Sequence, residues 1–256
     1  MAPAKLVFFG SSPFSNLVLS RLIAAEIPLA AVVTKPDQPA GRHLKLTPNS
    51  VKTLALQNGL AVQETFTLVS GQMGLVAAYG KIIPQKVIDG FENHIYNIHP
   101  SLLPKYRGPS PLQQQILDGI TDTGVTIIRL DAQMDHGPVV AQTTDVIRQG
   151  DTAQTLGERL FTRGTEMFIE QVWGKIPLEK EQEHSLASVT KMLTRQDGFI
   201  DWAAFSLQIA HPQPGSEIDR KFRAYYPWPG VWTINPESKR VKLVSLYPVV
   251  TTVTGT

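Results

Sequence analysis

The chain has 256 residues, a net charge of +2 and no cysteine. That length is ample for one large domain, or for a domain with a smaller companion, and the composition is that of an ordinary globular protein. The missing cysteines exclude disulfides, thiolate zinc sites and cysteine nucleophiles, no run of about 18 apolar residues offers a membrane span, and so small a net charge argues for nucleic acid only where cations cluster locally.

The N-terminus lacks a signal-peptide pattern, so the cytoplasm is the expected compartment. Leu6–Phe9, closed by Gly10, reads as a buried strand. Phe14, Leu17, Val18, Leu19, Leu22 and Ile23 then fall on a helical stripe. Leu29–Val33 is a second buried strand. From Lys35 to Lys52, with Arg42 and Lys45 between, four cations stand against one carboxylate, Asp37, and the prolines and Gly41 predict a loop. Cations on an exposed loop suit phosphate contacts; they equally suit a merely solvated loop. Asn49 or Ser50 caps a predicted helix over Val51–Gln57, ended by Gly59. Leu60–Val62, Met73–Ala78 and Ile95–Ile98 are the third to fifth strands. Pro111–Asp118 is a predicted helix with proline in its first turn. Val125–Leu130 and Val139–Ile147 are strands joined by a turn at Asp131–Gly137. Asp151–Trp173, capped by Asp151 or Thr152, is the longest helix.

Strands alternating with helices predict a mostly parallel sheet with helices on both faces, extended by an antiparallel hairpin. After Trp173 the texture changes. Residues 174–195 are polar and read as a linker. A helix around Asp219–Tyr226 and strands at Val231–Ile234 and Val241–Leu246 belong to a second module, and Tyr225-Tyr-Pro-Trp-Pro-Gly230 reads as aromatic plugs docking that module rather than as base-stacking rings. The expected division is a catalytic domain of residues 1–186, then a linker and smaller domain of residues 187–256.

No G-x-G-x-x-G follows the first strand, and no Walker A or H-E-x-x-H pattern exists, so nicotinamide, P-loop and zinc-protease readings lose their support. The most informative stretch is Asn97-Ile-His-Pro-Ser-Leu-Leu-Pro-Lys-Tyr-Arg-Gly-Pro109. Asn97 and His99 stand two apart at a strand's end, so both project from one face, and in such sheets sites form beyond the carboxyl ends of the strands. An amide can donate to a carbonyl oxygen as charge grows on it, while an imidazole handles a proton. Asp135, in the turn after the neighbouring strand, offers a carboxylate to orient the imidazole. The trio suits attack of an amine or water on a carbonyl. A purely structural alternative has Asn97 and His99 capping the strand and Asp135 closing a turn.

Taken together, these stretches resemble the formyltransferases that use 10-formyltetrahydrofolate. The matching segments are Lys5–Gly10 with Pro13-Phe14-Ser15, the Lys35–Lys52 loop, Ala77–Pro84, Asn97–Gly108, Thr123–Ile127, Leu130-Asp131, Met134-Asp135, Ile200-Asp201-Trp202 and Arg223–Gly230, in order along nearly the whole chain. The resemblance implies a Rossmann-like α/β formyltransferase domain followed by a small β-barrel (OB-like) module. It places the catalytic triplet at Asn97, His99 and Asp135, and the folate-contacting residues at Ser101, Leu102, Leu103 and Pro104, with Tyr79 and Gly80. Sister families formylate nucleotide-linked amino sugars or glycinamide ribonucleotide with the same core. The Lys-Pro-Asp-x-Pro-Ala-Gly-Arg pattern resembles the loop of the branch that acts on initiator methionyl-tRNA. It implies formyl transfer from 10-formyltetrahydrofolate to the α-amino group of that tRNA, with Lys35, Arg42 and Lys45 as RNA contacts; apart from the resemblance, no metal and a monomer are expected. A formyltransferase for a nucleotide-linked amino sugar is the alternative. The chain departs from the family pattern at His136 and Pro138 and at His211–Ser216, and only two strands can be counted after Pro229, where a five-stranded barrel needs more. A shortened second domain is therefore expected.

Overall fold

Leu6–Phe9 (β1) is buried at all four positions, which requires a strand paired on both edges and covered on both faces. The protein is described by a computed structural model over residues 5–40, 44–66, 73–210 and 213–246. After β1 come α1 (Pro13–Ala24), β2 (Leu29–Val33), β3 (Gln38–Ala40), β4 (Lys45–Thr47), α2 (Ser50–Gln57) and β5 (Val62–Gln63). β6 (Met73–Ala77), α3 (Gln85–Ile88), β7 (Ile95–His99), α4 (Pro111–Asp118), β8 (Asp122–Arg129), β9 (Val139–Val146) and α5 (Ala153–Met167) follow. α6 (Trp202–Ala210), α7 (Glu217–Tyr225), β10 (Trp232–Ile234) and β11 (Arg240–Lys242) complete the chain order.

One sheet organises the fold, in the order β5-β2-β1-β6-β7-β8-β9. Its pairings from β5 through β7 are parallel, and β8 and β9 add the expected antiparallel hairpin. Alternate residues of each strand face opposite ways. Leu6 and Phe8 join one large cluster with Val18, Leu19 and Leu22 of α1, Val51 of α2, Leu112 and Ile116 of α4, and Leu156 and Leu160 of α5. Val7, Phe9, Val76 and Ile95 form a smaller cluster on the opposite face, under Tyr79, Ile83 and Phe91. Helices were expected on both faces. Instead α1, α2, α4 and α5 all pack into the large cluster, and among the described residues the second face has only the one-turn α3 segment and loops.

Local chemistry explains how the helices start. Ser12 and Ser15 form a reciprocal capping box on α1, with Pro13 in its first turn. Ser15 Oγ also donates to the Ala77 carbonyl at 2.6 Å, locking α1 to the end of β6. A Cβ on Gly10 would lie 2.5 Å from the Ser15 Cβ, so this close approach requires glycine. Asn49 caps α2, and Thr152 caps α5.

Several expectations need correction. The predicted Lys35–Lys52 loop contains a short antiparallel hairpin, β3 against β4. Residues 174–195 are not a free linker: Lys180 pairs with Val139, and Val189 bridges Arg107. The long helix ends at Met167 and continues as a π-helical turn, Phe168–Val172. In the second module α7 packs with α4 and α5, its Ile218, Ala224 and Tyr225 joining the large cluster. Tyr225 docks as expected, but Tyr226 and Trp228 are 44% and 51% exposed. Its strands β10 and β11 form a two-stranded sheet, and no closed barrel forms among the described residues.

Candidate active site

Ile95, Asn97 and His99 share one face of β7, and Ile95 belongs to the smaller cluster. The amide and imidazole therefore project on the thinly covered side of the sheet, where a substrate can approach. The β8–β9 turn curls back over this face, and Leu130 N–H donates to the Ile95 carbonyl at 2.8 Å. A Cβ on Gly137 would lie 1.9 Å from the Arg129 carbonyl oxygen, so the tight return needs a bare backbone there. Asp135 thus arrives beside Asn97 although 38 residues separate them.

Three donors or rings converge on the Asp135 carboxylate. Asn97 Nδ2 donates to Oδ1 at 3.2 Å. The Gly108 backbone N–H donates to Oδ2 at 2.7 Å. His99 Nδ1 faces Oδ2 at 3.6 Å, beyond hydrogen-bond length. His99 Nε2 donates to the Tyr106 carbonyl at 2.9 Å, since a carbonyl can only accept. Asp135 is 9% exposed and His99 4%. A carboxylate so buried costs several kcal/mol unless it is satisfied, and here its partners come from β7 and from the loop after it. Asp135 also sits at φ +51, a left-handed conformation that aspartate tolerates better than most residues. The structure thus brings together all three predicted catalytic residues.

The loop after His99 is built without regular structure. Thr126 Oγ1 donates to the Ser101 carbonyl at 2.6 Å and accepts from Leu103 N–H at 3.2 Å. Gln142 Nε2 donates to the Leu103 carbonyl at 3.1 Å, and Ser101 Oγ to the Lys105 carbonyl at 2.8 Å. Of the predicted folate segment, Ser101 and Leu103 are buried, while Leu102 and Pro104 are part-exposed. Tyr79 and Gly80 lie just past the end of β6, whose Ala77 pairs with Ile98. Tyr79 is a core side chain, 2% exposed against Phe9 and Phe66, so its ring is not presented to a ligand. Burial pushes its hydroxyl above the ordinary tyrosine pKa.

The predicted RNA contacts divide. Lys45 is exposed on β4. Lys35 lies over Gly80, whose missing Cβ would otherwise sit 2.8 Å from its Nζ. Arg42 lies outside the described residues. Lys52 is held by Asp37 and Glu64, each at 2.7 Å, and these partners raise its pKa.

Residues 180–190 form a strap that the sequence reading missed. From Lys180 on the edge of β9 it crosses the Asp135 turn and ends alongside Tyr106–Ser110. Gln182, 6% exposed, donates through Nε2 to the carbonyls of Asp135 at 3.0 Å and Gly137 at 2.7 Å. Its Oε1 accepts from Arg107 Nε at 3.2 Å and Nη2 at 2.7 Å. Arg107 N–H donates to Ser188 O at 2.8 Å, and Thr190 N–H to Arg107 O at 2.7 Å. The only sequence signal was an uncharged amide inside Lys180-Glu181-Gln182-Glu183, too little to find it.

An amide, an imidazole and a buried carboxylate grouped at the end of a sheet strand suit chemistry at a carbonyl. A model of the formyl transferase family matches residues 4–172, and a model of the formyl transferase C-terminal domain matches residues 192–256. The chain is 41% identical to a methionyl-tRNA formyltransferase of Chloroflexus aggregans, over 90% of this chain and 76% of that one. It is 37% identical to one of Dehalococcoides mccartyi, over 97% of this chain and 80% of that one. The chain belongs to the methionyl-tRNA formyltransferase family. Among solved structures it resembles a 4-N formyltransferase of Francisella tularensis, with a TM-score of 0.70, 14% identity, and 94% and 96% of the two chains covered. It also resembles an N-formyltransferase of Helicobacter canadensis in complex with folinic acid and dTDP-3-aminofucose, with a TM-score of 0.66, 18% identity, and 94% and 87% covered. At these identities the likeness concerns the fold. No described helix is long and apolar enough to cross a membrane.

Proposed function

We propose that the chain transfers the formyl group of 10-formyltetrahydrofolate to the α-amino group of initiator methionyl-tRNA, with Asn97, His99 and Asp135 as its catalytic residues. The observation that carries this reading is the convergence of Asn97, His99 and the Gly108 N–H on one buried carboxylate, in a chain whose 35–41% identical relatives are named methionyl-tRNA formyltransferases. The amine attacks the formyl carbon, and the carbonyl electron pair moves to oxygen. When the bond to N10 breaks, the amine has lost a proton and N10 gains one. An α-amino group has a pKa near 8, so a useful fraction is already neutral at pH 7. Positioning and oxyanion stabilisation therefore matter more than base strength.

The Asn97 amide carries two N–H donors. One holds Asp135, and the other serves the oxygen of the tetrahedral intermediate. Asp135, with His99 beside it, carries the proton between amine and N10. Leu102 and Pro104 face the folate, with the backbone at Gly80 nearby. Lys35 and Lys45 meet the phosphates of the acceptor end, and the reaction takes place in the cytoplasm. The test is incubation of the purified protein with 10-formyltetrahydrofolate and either charged initiator tRNA or a nucleotide-linked amino sugar. Formylmethionyl-tRNA is the expected product. Formylation of the sugar alone would overturn the acceptor assignment.

A further inference from the structure

We propose that Gln182 and Arg107 are positioning residues for formyl transfer, acting through Asp135; the proposal rests on the reading of Asp135 as catalytic. The hydrogen bonds form a closed ring. The Asp135 carboxylate accepts from Gly108 N–H. The neighbouring residue, Arg107, reaches through its guanidinium to Gln182 Oε1. Gln182 Nε2 returns to the carbonyl of Asp135 itself and to that of Gly137. Asp135 is thus held at both its carboxylate and its backbone, in a left-handed conformation that the turn alone would not enforce.

The ring is buttressed from outside. Arg107 Nη2 also donates to His184 Nδ1 at 2.8 Å. The His184 ring stacks on His136, the residue after Asp135, with centroids 4.1 Å apart and planes 5° apart. His136 Nδ1 in turn donates to Asp131 Oδ2 at 2.7 Å. Every polar group of the Gln182 amide is used on the two segments that bear on Asp135, and an amide alone can donate to two carbonyls while accepting from a guanidinium. Glutamate keeps the acceptor and loses both donors, aiming a carboxylate at two carbonyl oxygens.

The experiment measures steady-state kcat and KM for formyl transfer to methionyl-tRNA by Gln182→Ala and Gln182→Glu, alone and combined with Asp135→Asn. In the single variants kcat is expected to fall about 10–100-fold, because a misplacement of about 1 Å costs that much, with KM for the tRNA little changed. Gln182→Glu should lose as much as Gln182→Ala although it retains the link to Arg107. In the Asp135→Asn background, adding Gln182→Ala should cost less than about 2-fold, since coupled residues do not add. Wild-type kcat in both single variants, or the full loss repeated in the Asp135→Asn background, would overturn the proposal and leave Gln182 a general packing residue. Full activity in Asp135→Asn alone would remove the reading of Asp135 itself, and the positioning role with it.

Discussion

Asp135→Ala is expected to lower the rate constant for formyl transfer about 10³–10⁴-fold, since the proposed proton carrier and the acceptor that holds the Asn97 amide in place are lost together. The carboxylate is the one acceptor shared by Asn97 Nδ2 and Gly108 N–H, and it faces His99 Nδ1. Removing it strands the buried Gly108 N–H and frees the part-buried Asn97 amide to rotate. Two separate costs follow. Unsatisfied buried donors lower stability by about 1–3 kcal/mol each, and the lost geometry lowers the rate. A thermal melt separates them: the variant should remain folded at 25 °C and still bind folate, whose expected contacts lie on residues 101–104. Activity within about tenfold of wild type would show that the carboxylate is structural, because loss of catalytic orientation costs far more.

Asn97→Ala carries the second large effect. A neutral donor aimed at a developing oxyanion is worth about 10²–10³ in kcat. The amide lies on the open face of β7 and is only part-buried, so its removal leaves little cavity. The loss should therefore fall on kcat rather than on KM or on the melting temperature. Asn97→Asp provides a sharper comparison. It keeps the size but puts a second carboxylate beside Asp135 and supplies no donor, so it should be no more active than the alanine variant. Retention of rate in either protein would assign oxyanion stabilisation to another group.

The sequence was most legible where burial is two-sided or a cap is explicit. β1 is a continuous apolar run, because a parallel strand inside the sheet is covered on both faces. The predicted ends of α4, Pro111 and Asp118, match the structure, where proline stands in the first turn and Gly119 follows the helix at φ +67. The pairing of Asn97 with His99 also followed from the two-residue period of a strand. What escaped detection leaves no periodic trace. β3 and β4 have three residues each, and β4 is exposed throughout, so no burial pattern marks them. α3 is one turn long, too short for a stripe. The strap at 180–190 is ordered by backbone pairing to Val139 and Arg107 and by one buried amide, which places no demand on neighbouring side chains. The uneven cover of the sheet was also hidden, since a buried strand reads the same whether helices or loops lie above it.

The most direct measurement is a crystal structure with a stable formyl-folate analogue bound. The pterin should lie against Leu102 and Pro104, with the formyl oxygen within hydrogen-bond distance of Asn97 Nδ2 and Asp135 still bonded to Gly108 N–H. A formyl group bound out of reach of Asn97, His99 and Asp135 in an otherwise active protein would contradict the account.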